Sequence, residues 1–522
     1  MTALRAERAL PGSEPATPAA SGSYRWVAAS IIVLGSIASI LSATVVNVAV
    51  PTLEKAFGAS LTDVQWIATG YLLGLSAVIP ISGWVSDRFG TKRTYIGTLT
   101  LFLVASLLCG FARTTGVEIA FRVIQGMAGG MVMPVGMTML MRLTPPHERG
   151  RMMGVIGIPM MVAPALGPTV AGWILQRFDW PYIFWINIPF CLLALGFAAI
   201  KLRESESAPA GRLDVVGLLL CTPGVTVFIY GVTKAADAGW TSAAALLPMA
   251  AGVLLIVVFV VWELRQPQPL LDVRVFRDAA FSAAACVSIL VALSLFGAMF
   301  VVPVFMQTVQ GYSPLEAGWV MGAQGLGAVL ALPIGGWLTD RYGARPVVLA
   351  GVCALVLVTL GLATVQPDTT KTTWALLLAA RGMTSGFVMM PAFSAAYLTI
   401  APALISRATA LSNTIQRMAS SLGVAVVATI ATDRVSAHLP HTRVAASVVR
   451  SSIAWGFDDA LLITVGLTML ALPATMLLRR ALPIGISVHP PIPTAYRALA
   501  VALGALGLIG LLFMVVIGFG LS

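Results

Sequence analysis

The sequence predicts an all-α integral membrane protein. Three observations carry that prediction: little charge, a row of apolar runs long enough to cross a bilayer, and basic residues sorted between those runs. Of the 522 residues, 58% are apolar and 10% are charged. A soluble domain carries about 25% charged residues, so this chain lacks the charge to cover a water-facing surface of its size. A helix needs about 20 apolar residues to cross the hydrocarbon core. Runs of that kind are expected at 26–50, 64–86, 95–112, 117–141, 150–175, 183–200, 215–234, 244–262, 282–306, 314–338, 346–365, 373–398, 407–430 and 458–478. A further uncharged apolar stretch, 498–521, is expected as an extra C-terminal helix. The connection at 431–457 is the longest on its side, and part of it is expected as an interfacial helix.

The basic residues set the orientation. The formal net charge is +11. A single basic patch would point to nucleic acid, but the 32 Lys and Arg sit in small groups between the runs. With the N-terminus inside, 21 fall on the inner side and eight on the outer, while Arg122, Arg381 and Arg417 lie within runs. That bias is the positive-inside signature. It predicts a multi-pass protein of the cell (inner, cytoplasmic) membrane with a cytoplasmic N-terminus. The bilayer is the expected partner and nucleic acid is not. Residues 1–25 are rich in Ala, Pro and Ser and lack an apolar core, so they read as a disordered cytoplasmic tail and not a signal peptide. All five cysteines lie in apolar runs without a CxxC and read as small buried residues. No metal site is expected.

The chain repeats itself. Gly83-Trp84-Val85-Ser86-Asp87-Arg88-Phe89-Gly90 matches Gly336-Trp337-Leu338-Thr339-Asp340-Arg341-Tyr342-Gly343 at five of eight positions, 253 residues apart. A second pair, Gly126 to Gly130 against Gly382 to Gly386, lies 256 apart. Repeats of this kind build alternating-access transporters. The expected organisation is a tail (1–25), a six-helix half (26–200), two inserted helices (201–262), a second six-helix half (263–478), then a linker and the extra hydrophobic segment (479–522).

These residues resemble the major facilitator superfamily, and most nearly its 14-spanner drug:proton antiporter family (EmrB/QacA type), over about residues 26–478. The markers are the first octet continued by Thr91-Lys92-Arg93, then Arg122-Val123-Ile124-Gln125-Gly126. Next come Pro164-Ala165-Leu166-Gly167-Pro168 with Gly172, Ile183-Phe184-Trp185-Ile186-Asn187-Ile188-Pro189, and Gln307-Thr308-Val309-Gln310-Gly311-Tyr312-Ser313-Pro314. The resemblance implies the major facilitator fold. It also implies a gating loop at Gly83, Asp87, Arg88, Gly90 and Arg93, echoed by Gly336, Asp340, Arg341 and Gly343. Pro164, Gly167, Pro168 and Gly172 correspond to an antiporter-type motif in the fifth spanner. In cells with two membranes a periplasmic adaptor protein is a candidate partner.

A charge inside the bilayer costs about 3 kcal/mol or more and is a functional hypothesis by default. Arg122 is such a charge, and Glu118 and Gln125 lie on its helix face. A satisfied structural ion pair with Glu118 is the alternative reading. The methionines of the same spanner (Met127, Met131, Met133, Met137, Met139, Met141) suit a pocket accepting many apolar shapes, or a plain core stripe. In the first spanner, Leu41 to Pro51 resembles the family motif with Asn47 in place, but Ser42 stands where the family usually has Asp. Ser does not titrate near neutral pH. Either proton coupling has moved to Glu118, or the substrate is neutral or anionic and drawn by Arg122, or the chain is not proton-coupled.

The expected function is secondary efflux of amphipathic small molecules by alternating access, drawing on the proton gradient with no cofactor. Export of an anionic lipid, fatty acid or metabolite is the alternative. No clustered nucleophile marks an enzyme, and no correctly spaced Walker loop marks an ATP-driven pump.

Overall fold

The structure is a computed structural model of the chain and describes residues 22–145, 148–149, 152, 157, 163, 167, 170–204, 211–398, 400–438 and 446–478. The regular structure among them is entirely helical. The helices are α1 (Gly22–Phe57), α2 (Leu61–Val78), α3 (Ser82–Phe89), α4 (Thr91–Cys109), α5 (Thr115–Leu143), α6 (Tyr182–Trp185), α7 (Asn187–Lys201) and α8 (Val215–Ala238). They continue as α9 (Ala243–Arg265), α10 (Ala279–Thr308), α11 (Pro314–Tyr342), α12 (Ala344–Leu362), α13 (Lys371–Tyr397), α14 (Ile405–His438) and α15 (Ala446–Met476). Among the described residues twelve helical spans are long and apolar enough to cross a membrane, and the bent pair α2–α3 makes a thirteenth. The expected run at 150–175 lies mostly outside the described residues, and the stretch 498–521 wholly so.

Three elements differ from expectation. The run at 64–86 is not one rod but two helices meeting at 56°. Pro80 sits at the break, where its ring removes a backbone donor. Helix α1 begins at Gly22, so Arg25 belongs to a helix and not to the tail; it is nearly buried and ion-paired with Glu148. Residues 431–438 and 446–457, expected as a connection with an interfacial helix, instead prolong α14 and α15.

Helices α1, α2, α4, α5 and α7 pack together, and α10 to α15 form a second group. Helices α8 and α9 pack on each other, and α8 also touches α2 and α14. Thr222 donates to the Ala77 carbonyl at 2.9 Å, and Trp240 Nε1 donates to Thr429 Oγ1 at 2.7 Å. The two groups meet along α14, which lies against α3 and α5.

The internal repeat has a matching geometry. Gly126 lets α5 approach α2 so closely that a Cβ would lie 2.1 Å from the Tyr71 carbonyl oxygen. Gly382 lets α13 approach α11 so closely that a Cβ would lie 1.9 Å from the Gln324 carbonyl oxygen. Residues 71 and 324 are themselves one octet offset apart. Gly90 and Gly343 both turn the chain with φ of 84°, a conformation L side chains rarely adopt.

Large apolar side chains such as Leu247, Leu254, Leu326, Leu357 and Leu376 stay exposed around the bundle. A patch of that kind without a cover is foreign to a soluble monomer, and here it matches contact with lipid tails. Four of the cysteines are buried, but Cys353 is exposed on α12, so the reading of all five as buried does not hold for it.

Candidate functional site

The candidate site begins on α5. Thr114 caps the helix by accepting from the Val117 amide at 3.4 Å, which places Glu118 in its first turn and Arg122 one turn deeper. Glu118, Arg122 and Gln125 are fully buried, as their shared face predicts. The alternative reading, a satisfied ion pair with Glu118, is not what the structure shows, since both Glu118 oxygens lack a hydrogen-bond partner among the described residues. Arg122 reaches across to α1 instead: Nη1 donates to Ser42 Oγ at 2.9 Å and Nη2 to the Ser42 carbonyl at 3.1 Å. Nη1 also donates to Gln125 Oε1 at 2.5 Å, and Nε to the Ile67 carbonyl at 3.2 Å. The guanidinium lies 4.2 Å from the centre of the Tyr71 ring, a cation–π contact. Gln125 Nε2 passes the network to Ser106 Oγ at 2.6 Å.

Every partner of Arg122 is neutral. Ser42 is thus the side chain that meets the cation from α1, at the position where an acid would have made an ion pair. Both carboxylate oxygens of Glu118 are buried without a hydrogen-bond partner among the described residues. Unpaired buried carboxylates are costly, and a proton or a nearby cation is what relieves them.

The Arg122 cluster adjoins a central cavity of about 340 Å³ between the two helix groups. Ser39 belongs to both: it lines the cavity, and its carbonyl accepts from Tyr71 Oη at 2.7 Å. Ala43 and Thr44, which follow Ser42, also line it. Its far wall comes from α10 and α14, with Phe296, Phe300 and Arg417. Of the methionines on α5, Met133 reaches the cavity, Met137, Met139 and Met141 are core, and Met127 is exposed. The broad methionine pocket is therefore reduced to one residue of that helix.

On the octet side the two helix groups are tied together. Asp87 Oδ1 accepts from Arg142 Nη2 at 2.5 Å, and both of its oxygens accept from Ser406 Oγ at 2.8 Å. Ser406 opens α14, so this acid ties the first helix group to the second. Gly83 lets the two approach, since a Cβ there would lie 3.0 Å from the Ser406 carbonyl oxygen. Arg149 adds a second tie by donating to the Tyr397 carbonyl at 2.7 Å. Arg88 is exposed and takes no part, and Arg93 lies at the surface 3.5 Å from Glu204. Arg142 and Ser406 were not singled out from the sequence, where one reads as a topology charge and the other as a helix start. In the second octet Gly336 is buried, Asp340 is half-buried, and Arg341 lies over the rings of Trp337 and Tyr342.

Other expected residues are only partly described. The side chain of Asn47 lies outside the described residues, as do Pro164 and Pro168. Gly167 packs on α1, where a Cβ would lie 2.1 Å from Thr44 Oγ1. Gly172 has nothing within 4 Å of a Cβ position, so it makes no close helix contact. The described residues contain no group of His, Cys, Asp and Glu side chains able to hold a metal.

A polytopic helical bundle with paired octet loops and a cavity between two helix groups defines a membrane transporter. The chain belongs to the major facilitator superfamily, which its residues 32–424 match. It is 38% identical over 412 residues to the multidrug resistance protein B homolog of Mycobacterium tuberculosis, covering 77% of this chain and 76% of that one. It is 28% identical over 456 residues to the lincomycin resistance protein LmrB of Listeria monocytogenes, covering 87% of this chain and 97% of that one. Among solved structures it resembles the human organic anion transporter MFSD10 (TETRAN), with a TM-score of 0.61 at 15% identity, over 87% of this chain and 99% of that one. That likeness is one of fold.

Proposed function

We propose that this chain is a secondary exporter of amphipathic small molecules, of the 14-spanner drug:proton antiporter type, working by alternating access. The octet side faces the cytoplasm, following the basic-residue bias, and the protein lies in the cytoplasmic membrane. Relatives named for multidrug and lincomycin resistance support the substrate class. The two helix groups, 26–200 and 263–478, act as the rocking halves, and the pair within 201–262 fills in beside them. The ties from Asp87 to Arg142 and Ser406 hold the cytoplasmic side closed, and they must break for the cavity to open inward.

One observation carries the coupling reading. Glu118 is buried without a hydrogen-bond partner among the described residues, one turn from Arg122, whose own network reaches the cavity wall through Ser42, Tyr71 and Ser39. Glu118 takes the place of the acid absent from position 42. It alternates between holding a proton and pairing with Arg122, and each exchange shifts α1 along the cavity. The test is export of a fluorescent amphipathic dye from cells expressing the chain, with and without a protonophore. Gradient-dependent export that Glu118→Gln abolishes supports the reading, and export indifferent to the gradient overturns it.

A further inference from the structure

Among the described residues, the cavity wall holds one charged side chain, Arg417. It stands 12 residues into α14, roughly 18 Å along the helix at 1.5 Å per residue, which is near the middle of a hydrocarbon core of about 30 Å. Unlike Arg122, it makes no hydrogen bond or ion pair with any described residue, and no acidic side chain lines the cavity with it. Beside it, Gln416 also lines the cavity, and its Nε2 is a buried donor without a partner among the described residues. The neutral polar neighbours turn donors back onto α14 itself: Ser420 donates to the Gln416 carbonyl at 2.8 Å, and Asn413 Nδ2 donates to the Thr409 carbonyl at 2.8 Å. The charge that this wall offers is therefore positive, and the buried donor of Gln416 stands beside it. The opposite wall gives the apolar surfaces of Leu72, Leu75 and Met133, and Phe296 and Phe300 share the wall of Arg417.

We infer that the cavity binds an amphipathic organic anion, with its acidic head on Arg417 and Gln416 and its apolar body against the aromatic and aliphatic wall. This rests on the reading of the cavity as the substrate site and assigns that substrate a charge. Arg122 is not the anion's partner, because it does not line the cavity and four of its five donors are spent on Ser42, Gln125 and Ile67. A desolvated cation without a protein counter-ion favours a ligand that supplies one, and a lipophilic cation in the same cavity would face uncompensated repulsion.

The experiment uses the full chain in nanodiscs of zwitterionic lipid and two probes of nearly equal size, 11-(dansylamino)undecanoic acid and its methyl ester, with binding read from dansyl fluorescence. The acid should bind about ten-fold more tightly than the ester, the value of one charge-assisted hydrogen bond. Arg417→Gln should remove that preference by weakening the acid alone, with the ester unchanged as the control for folding, and Arg417→Lys should keep most of it. Equal binding of the two probes to the wild type, or a preference that survives Arg417→Gln, overturns the inference and leaves the export reading standing. Failure of both probes to bind overturns both. Adding phosphatidylglycerol to the nanodiscs separates two sources of the anion. Competition with the acid would place a lipid headgroup at Arg417, and no competition would leave a free organic acid as the ligand.

Discussion

Two arginines within helical spans, the buried Arg122 on α5 and the half-buried Arg417 on α14, show how the same side chain serves two ends in one bundle. Arg122 is wrapped in four neutral acceptor contacts and a tyrosine face, so its charge is spent on tying α5 to α1 and α2. Arg417 has no partner among the described residues and faces a cavity. In the proposed reading the satisfied cation holds structure and transmits movement, whereas the unsatisfied one binds the ligand.

The largest effect that could break this comparison is expected from Arg122→Leu. It leaves Ser42, Gln125 and Ile67 with unmet buried acceptors, at about 1–3 kcal/mol each before relaxation. The purified variant should show a clear drop in melting temperature as well as lost export. The matching change at Arg417 should leave melting nearly unmoved, and equal melting losses at the two sites would erase the distinction.

Next come the paired glycines. Gly126→Val and Gly382→Val each force a side chain into a carbonyl oxygen. Overpacking of this kind costs about 1–3 kcal/mol. Similar losses of folded yield are expected from both if the repeat is structural, whereas a strong effect from one alone would argue against equivalent packing.

Asp87→Asn should act more mildly, weakening the Arg142 pair by about 1–2 kcal/mol. This corresponds to roughly ten-fold more of the form open on the octet side. A cysteine introduced at Ser36 on the cavity wall should then label faster from that side, while Arg88→Ala should label as the wild type does. The smallest effect belongs to Ser42→Ala, which removes one of the two Ser42 contacts and should cost about 1 kcal/mol in melting.

Much of this was legible in the sequence, for reasons that also mark where legibility stops. Spans follow from apolar length, and the face joining Glu118, Arg122 and Gln125 follows from helical periodicity alone. The repeat could be read because Gly90 and Gly343, and Gly126 and Gly382, answer backbone demands that only glycine meets. The break at Pro80 was visible as a residue, but the direction of α3 depends on Ser406 and Asp87, which are more than 300 residues apart. The contact between Ser42 and Arg122 needed α1 to be placed beside α5. The standing of Arg417 depended on which residues do not reach it, and that is a property of packing that no local pattern carries.

The measurement that tests the central claim most directly is proton movement in proteoliposomes carrying an internal pH-sensitive dye, with an amphipathic substrate supplied on one side. The account predicts substrate-driven proton counterflow in the wild type, and none for Glu118→Gln although the variant still binds substrate. Counterflow that persists in Glu118→Gln would contradict it.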